Sequence, residues 1–226
     1  GYLIGMGLLL FFGKPSALKE DKLTSASEIT AVVDIKGVIM DGADASADLV
    51  IPSLRHAFED ERTKAVVLRI NSPGGSPVQS GQINDEIKRL KGLYEDIPVY
   101  AVVSDMCASG GYYIAVAADK IYADKASLVG SIGVRMDNFG FVEAMNKLGV
   151  ERRLLTAGEN KGMLDPFLPV DAKQVDFVKT LLSTTHSQFI KVVRDGRGNR
   201  LKETPDMFSG LFWTGNQSIK LGLADH

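Results

Sequence analysis

Short, almost wholly apolar runs alternate along this chain with longer stretches in which apolar residues return every three or four positions. "ITAVVDIKGVIM" (29–40), "KAVVLRI" (64–70), "IPVYAVVS" (97–104) and "KIYAD" (120–124) have the length and β-branched content of strands. Between them, "SADLVIPSLRHAFEDE" (46–61) sets Leu49, Leu54 and Phe58 at roughly helical spacing. "SPVQSGQINDEIKRLKGL" (76–93) aligns Val78, Ile83, Ile87 and Leu90 in one helical stripe. A further helix is expected over 109–118. A longer one over 171–194 runs through Val175, Phe177, Val178, Leu181, Leu182, Phe189 and Ile190. Strand–helix–strand alternation of this kind predicts an α/β fold whose parallel sheet is covered on both faces. "ERRLLT" (151–156) also reads as strand-like.

Composition narrows this only slightly. The chain has 226 residues, 45% hydrophobic and 24% charged, with a net charge of −2. That suits one domain with a full core and gives no sign of a nucleic-acid partner. One cysteine, Cys107, excludes an internal disulfide and a cysteine metal site, and no cofactor motif is present. The apolar run 1–13, "GYLIGMGLLLFFG", is shorter than the roughly 20 residues a spanning helix needs. It reads as the tail of a membrane anchor. A signal-peptide core and a buried helix are the other readings. A polar linker at 14–28 then leads to a domain at 29–226.

Two strand ends carry the candidate chemistry. "VVLRINSPGGSP" ends a strand in a turn with two adjacent glycines. "VYAVVSDMCASGG" runs from a strand through Ser109 into a helix. Sites in parallel α/β sheets form outside the carboxyl ends of strands. Ser109 on a sharp bend could be a nucleophile, with the backbone N–H groups of Gly74 and Gly110 as an oxyanion hole. The alternative is that Ser109 caps the helix and the glycines serve close packing. A serine nucleophile needs a base. His56, His186 and His226 read as surface or packing residues, so the Ser-Lys variant is worth testing, with Lys161 in the Gly-rich loop "LLTAGENKGMLDPF" as its base; by itself that residue reads equally as a solvated loop lysine. A lysine base must lose its proton well below about pH 10.4, which requires it to leave water. Glu159 and Asp165 are expected to point away from it. Cys107, two residues before Ser109, reads as a small buried side chain.

"INSPGGSP", "SDMCASGGYYIAVAADKIYADKASLVGSIGV" and "FWTGNQSIKLGLAD" together resemble the signal peptide peptidase A family of membrane-bound serine peptidases, from about residue 29 onward. The resemblance implies a fold of the Clp protease and crotonase type and a Ser-Lys dyad. Ser109 matches the nucleophile, Lys161 the general base and Ser131, in "GSIGV", the serine that orients that lysine. Gly74 and Gly110 match the oxyanion donors. The loop around Lys161 departs from the family's Ser-Gly-x-Tyr-Lys-Asp: here it reads Ala-Gly-Glu-Asn-Lys-Gly. The single-domain length resembles the family's short form. That form implies a homo-oligomeric ring or dome on the membrane, a catalytic domain outside the cytoplasm, and serine and lysine drawn from neighbouring subunits. The implied substrates are remnant signal peptides and other short hydrophobic peptides. A Clp-type Ser-His-Asp enzyme would place a histidine near position 134, where this chain has Val134. A crotonase-like acyl-CoA enzyme and a non-catalytic membrane scaffold are the remaining alternatives on the same fold.

Overall fold

The computed structural model describes residues 27–226. The apolar run 1–13 and nearly all of the linker lie outside them. Strands β1 (Ile29–Lys36), β2 (Thr63–Ser72), β3 (Val99–Ala108), β4 (Lys120–Ala123) and β5 (Leu128–Gly130) pair in parallel. Short β6 (Phe212–Thr214) closes the edge antiparallel to β5, in the order β1-β2-β3-β5-β6 with β4 also on β3. Helices α1 (Ala47–Glu59), α2 (Pro77–Leu93) and α3 (Gly110–Ala115) follow β1, β2 and β3. They bury one face of the sheet around Ile35, Leu54, Leu68, Ile70, Ile83 and Ile114. The fold is mixed α/β with a mainly parallel sheet, as expected.

The other face is left uncovered by the described residues. Burial alternates along β1 and β2, and Val32 is 54% exposed. That face carries the Arg69–Asp34 ion pair and the hydrogen bond from Asn71 Nδ2 to Asp105. The apolar run 64–70 concealed the alternation, because Ala65 and Val67 stand on the open face beside Arg69.

Helix ends follow local chemistry. Ser76 caps α2 by accepting from Gln79 N–H, with Pro77 at the first helical position, where its missing donor costs nothing. Asp171 caps the long helix α5 (Ala172–Arg197) by accepting from Lys173 and Gln174 N–H. The C-terminal half of α5 packs against α3 through Phe189, whose ring lies 5.1 Å from Tyr113. At its end, Arg197 is 1% exposed and donates to Gly222 O and to both carboxylate oxygens of Asp225. This clamps the segment after α6 (Gly215–Lys220) to the end of α5 and alongside β4, where Asp225 N–H donates to Ile121 O.

Residues 134–170 leave this body as an arm. Its helix α4 (Val142–Leu148) buries no side chain. Residues 151–156 form no strand, since no strand among the described residues pairs with them, and Leu155 is 96% exposed. The arm holds its shape by its own contacts. Phe141 stacks on Phe167 at 5.5 Å, Phe141 N–H donates to Pro166 O, and Asn138 Nδ2 donates to Leu164 O. Among the described residues no helix is long and apolar enough to cross a membrane.

Candidate active site

The carboxyl ends of β2, β3 and β5 meet at a cleft of about 720 Å³. Ala108 and Gly130 are partners in the ladder, so the residues that follow them, Ser109 and Ser131, leave adjacent strands side by side. Both have left-handed backbones, φ 51° at Ser109 and 52° at Ser131. Such conformations cost of order 1–3 kcal/mol for residues with a Cβ and persist only where neighbours impose them. Here Ser109 N–H donates to Gly130 O and Ser131 N–H to Leu211 O, both at 2.8 Å. Ser109 occupies the cap position of α3, yet its side chain makes no capping hydrogen bond. The capping alternative therefore fails, and the hydroxyl is left facing the cleft.

The Asn-Ser-Pro-Gly-Gly turn is stapled to its surroundings residue by residue. Between Ile70↔Val103 and Ser72↔Cys107 the ladder shifts register, so β3 bulges at 104–106. Asn71 bridges that bulge, accepting from Met106 N–H and donating to Asp105. Ile39 N–H donates to Gly74 O, and Ser76 N–H to Ile39 O. Gly74 has φ 96°, and a Cβ there would stand 2.6 Å from Gly110 N and 2.7 Å from Ser109 Cβ. Only glycine allows the turn to lie against the serine.

Gly74 N–H, however, is not free for an oxyanion. It donates to Ser72 Oγ at 3.1 Å. The next amide, Gly75 N–H, has no acceptor among the described residues and lies 3.2 Å from where a Cβ of Gly110 would project. The amide pair beside Ser109 is thus Gly75 and Gly110, not Gly74 and Gly110. The sequence shows two glycines in a row; which amide is consumed depends on a serine two residues upstream.

Ser109, Ser131, Gly74 and Gly110 all line the cleft. Lys161 does not. It is exposed in the arm, and its own N–H donates to Gly158 O. Asp165 is turned to Arg152 and to Phe167 N–H; the Phe167 amide, then the Arg152 guanidinium, hold its carboxyl below the usual carboxylate range. Glu159 is exposed. His186 Nε2 lies 3.1 Å from Ile132 O, a packing contact under the cleft rather than a base beside Ser109. Cys107 is fully buried, and burial pushes its thiol pKa far up. Sequence reasoning missed the other walls: Tyr113, and Thr185, Gln188 and Phe189 of α5. Their 185/188/189 spacing marks one helix face, but nothing local says that this face meets the cleft.

Comparison with known proteins bears on this geometry. The sequence profile of Peptidase family S49 matches residues 92–226, which include Ser109, Ser131 and Lys161.

The chain belongs to peptidase family S49.

Among curated proteins, a stretch of "Protease 4" from Haemophilus influenzae is 33% identical over 199 residues, covering 86% of this chain and 32% of that protein. "Serine protease SPPA, chloroplastic" from Arabidopsis thaliana is 30% identical over 185 residues, 81% of this chain and 27% of that protein. The "Na(+)/H(+) antiporter NhaA" of Brucella melitensis is 46% identical over 199 residues, 86% of this chain and 27% of the antiporter. This S49 chain therefore spans about a quarter to a third of the length of these relatives.

Proposed function

We propose that this S49 chain is the catalytic domain of a serine endopeptidase acting through an acyl-enzyme on Ser109. The observation that carries the reading is the strained Ser109, whose side chain makes no capping bond, beside the Gly75 and Gly110 amides, neither of which has an acceptor among the described residues. In the reaction, Ser109 Oγ bonds to the scissile carbonyl carbon as a base takes the hydroxyl proton. The oxygen that gains charge is held by Gly75 and Gly110 N–H. Collapse breaks the C–N bond and the base returns the proton to the leaving amine. Water then hydrolyses the ester by the same steps.

The base in this proposal is Lys161, oriented by Ser131 and supplied by a neighbouring copy of the chain. Two features support a neighbour: Lys161 lies outside the cleft of its own chain, and its arm exposes Phe139, Leu148, Leu155 and Val170. An interface would cover such side chains and dry the lysine. The assembly is proposed to sit on a membrane through the run 1–13, outside the cytoplasm, and to cut remnant signal peptides and similar short apolar segments. The apolar run 1–13 supports the membrane placement, and the resemblance to the signal peptide peptidase A family supports the substrate class.

A fluorophosphonate probe tests the nucleophile. Labelling of wild type at Ser109, absent in Ser109→Ala, is the expected result. A crotonase-like enzyme or a scaffold would take no label.

A further inference from the structure

We infer that Ser72 is a positioning residue for the oxyanion hole. This rests on Ser109 being the nucleophile and goes beyond it by naming what sets the hole. Ser72 is 0% exposed and does not line the cleft, so it touches no substrate. Its hydroxyl is nevertheless used in both directions. It donates to Gly37 O at 2.7 Å and accepts from Gly74 N–H at 3.1 Å. Gly37 N–H in turn donates to Asn71 O at 2.9 Å, so the end of β1 and the end of β2 are tied on both sides of Ser72. The nucleophile helix also rests on this residue: a Cβ on Gly111 would lie 3.1 Å from Ser72 O and 3.3 Å from Ser72 Cβ.

The consequence is geometric. Successive peptide N–H groups in the turn compete for two directions, inward to the body and outward to the cleft. By taking the Gly74 amide inward, Ser72 leaves the Gly75 amide as the outward one, beside Gly110 N. Fixing a donor before the charge develops is what makes an oxyanion hole effective, because no reorganisation is then needed during reaction. A buried hydroxyl with one donor and one acceptor role filled can do this. A methyl of similar size cannot, and a thiol does it weakly.

The test uses the full chain and three readouts. In Ser72→Ala, kcat for a peptide substrate is expected to fall by roughly 10- to 100-fold while KM changes by less than about threefold, since a hole donor itself is worth about 10²–10³. Affinity for a peptide aldehyde, whose hemiacetal oxygen enters the hole, should fall by a similar factor. Ser72→Cys, which refills the volume with a poor hydrogen-bonding group, should not restore either. Recovery by Cys, or equal losses in product-peptide and aldehyde binding, would make Ser72 a space-filler and overturn the inference. Should both variants fail to fold, hydrogen exchange in wild type decides it. Gly74 N–H should be protected and Gly75 N–H unprotected until the aldehyde is added. Equal exchange of the two amides without inhibitor would overturn the inference. Wild type that takes no label at Ser109 would overturn the nucleophile and this proposal together. Labelled wild type with unaltered Ser72 variants would overturn this proposal alone.

Discussion

In residues 29–133, apolar side chains alternate into a core, and the ends of three strands bring two serines and a glycine turn together. In residues 134–170, α4 buries nothing, and Phe139 and Leu155 are 76% and 96% exposed. The first region spends its apolar residues inside the chain. The second holds them outward. Yet each carries one half of the proposed dyad, Ser109 in the first and Lys161 in the second. The difference teaches that a nucleophile can be made by backbone geometry within one chain, whereas a lysine base needs a dry environment that this exposed arm does not give by itself.

The largest expected effect tests both halves at once. Ser109→Ala and Lys161→Arg should each lower peptide cleavage by about 10⁴-fold or more, since catalytic groups acting as a unit fail together. Guanidinium stays protonated and cannot serve as base. Neither change should lower the unfolding midpoint. Alanine inherits the backbone strain of Ser109 without losing a cap, and Lys161 is exposed. An active Lys161→Arg enzyme would return the base to another residue.

Next in size is a stability effect confined to the body. Burial alone would raise the Asp225 pKa, but the hydrogen bond from Arg197, the Ile121 amide and the charges of Arg197 and Arg200 hold it below the usual carboxylate range. A depressed carboxyl stabilises the fold above its unfolded pKa, and that contribution fades as pH falls through the acid range. Arg197→Met leaves the carboxylate only Arg200 and the Ile121 amide, and denaturant unfolding at pH 7 should show a loss of about 3 kcal/mol, with Arg197→Met/Asp225→Asn recovering part of it. An unchanged midpoint in the single variant would show that the clamp contributes nothing.

Ser131→Ala should lower kcat by about tenfold, through a less well oriented lysine rather than a lost nucleophile. No change would leave Ser131 with a packing role. The smallest effect is a null one. Cys107 is buried with its thiol pKa pushed up, so a thiol reagent at pH 7 should leave the folded protein unlabelled and active. Rapid labelling would show that β3 opens.

Strands β1 to β4, the helices on the covered face and the Ser109 bend were legible because strand and helix periods are local signals; β5 and β6, three residues each, are too short to show a period. The open sheet face was not, since Ala65 and Val67 are apolar wherever they point. "ERRLLT" has strand composition, but a strand exists only with a partner, and the arm supplies none. The exchange of Gly75 for Gly74 hinged on one buried hydroxyl, which sequence spacing does not reveal. The position of Lys161 outside its own cleft is a matter of distant chain contacts, beyond the reach of any window of residues.

The shared site is tested most directly by mixing inactive Ser109→Ala with inactive Lys161→Ala protein under conditions of verified subunit exchange. Pairing the serine of one chain with the lysine of its neighbour should restore part of the wild-type activity. Verified exchange with no activity at all would contradict the shared site and put both residues of the dyad in a single chain.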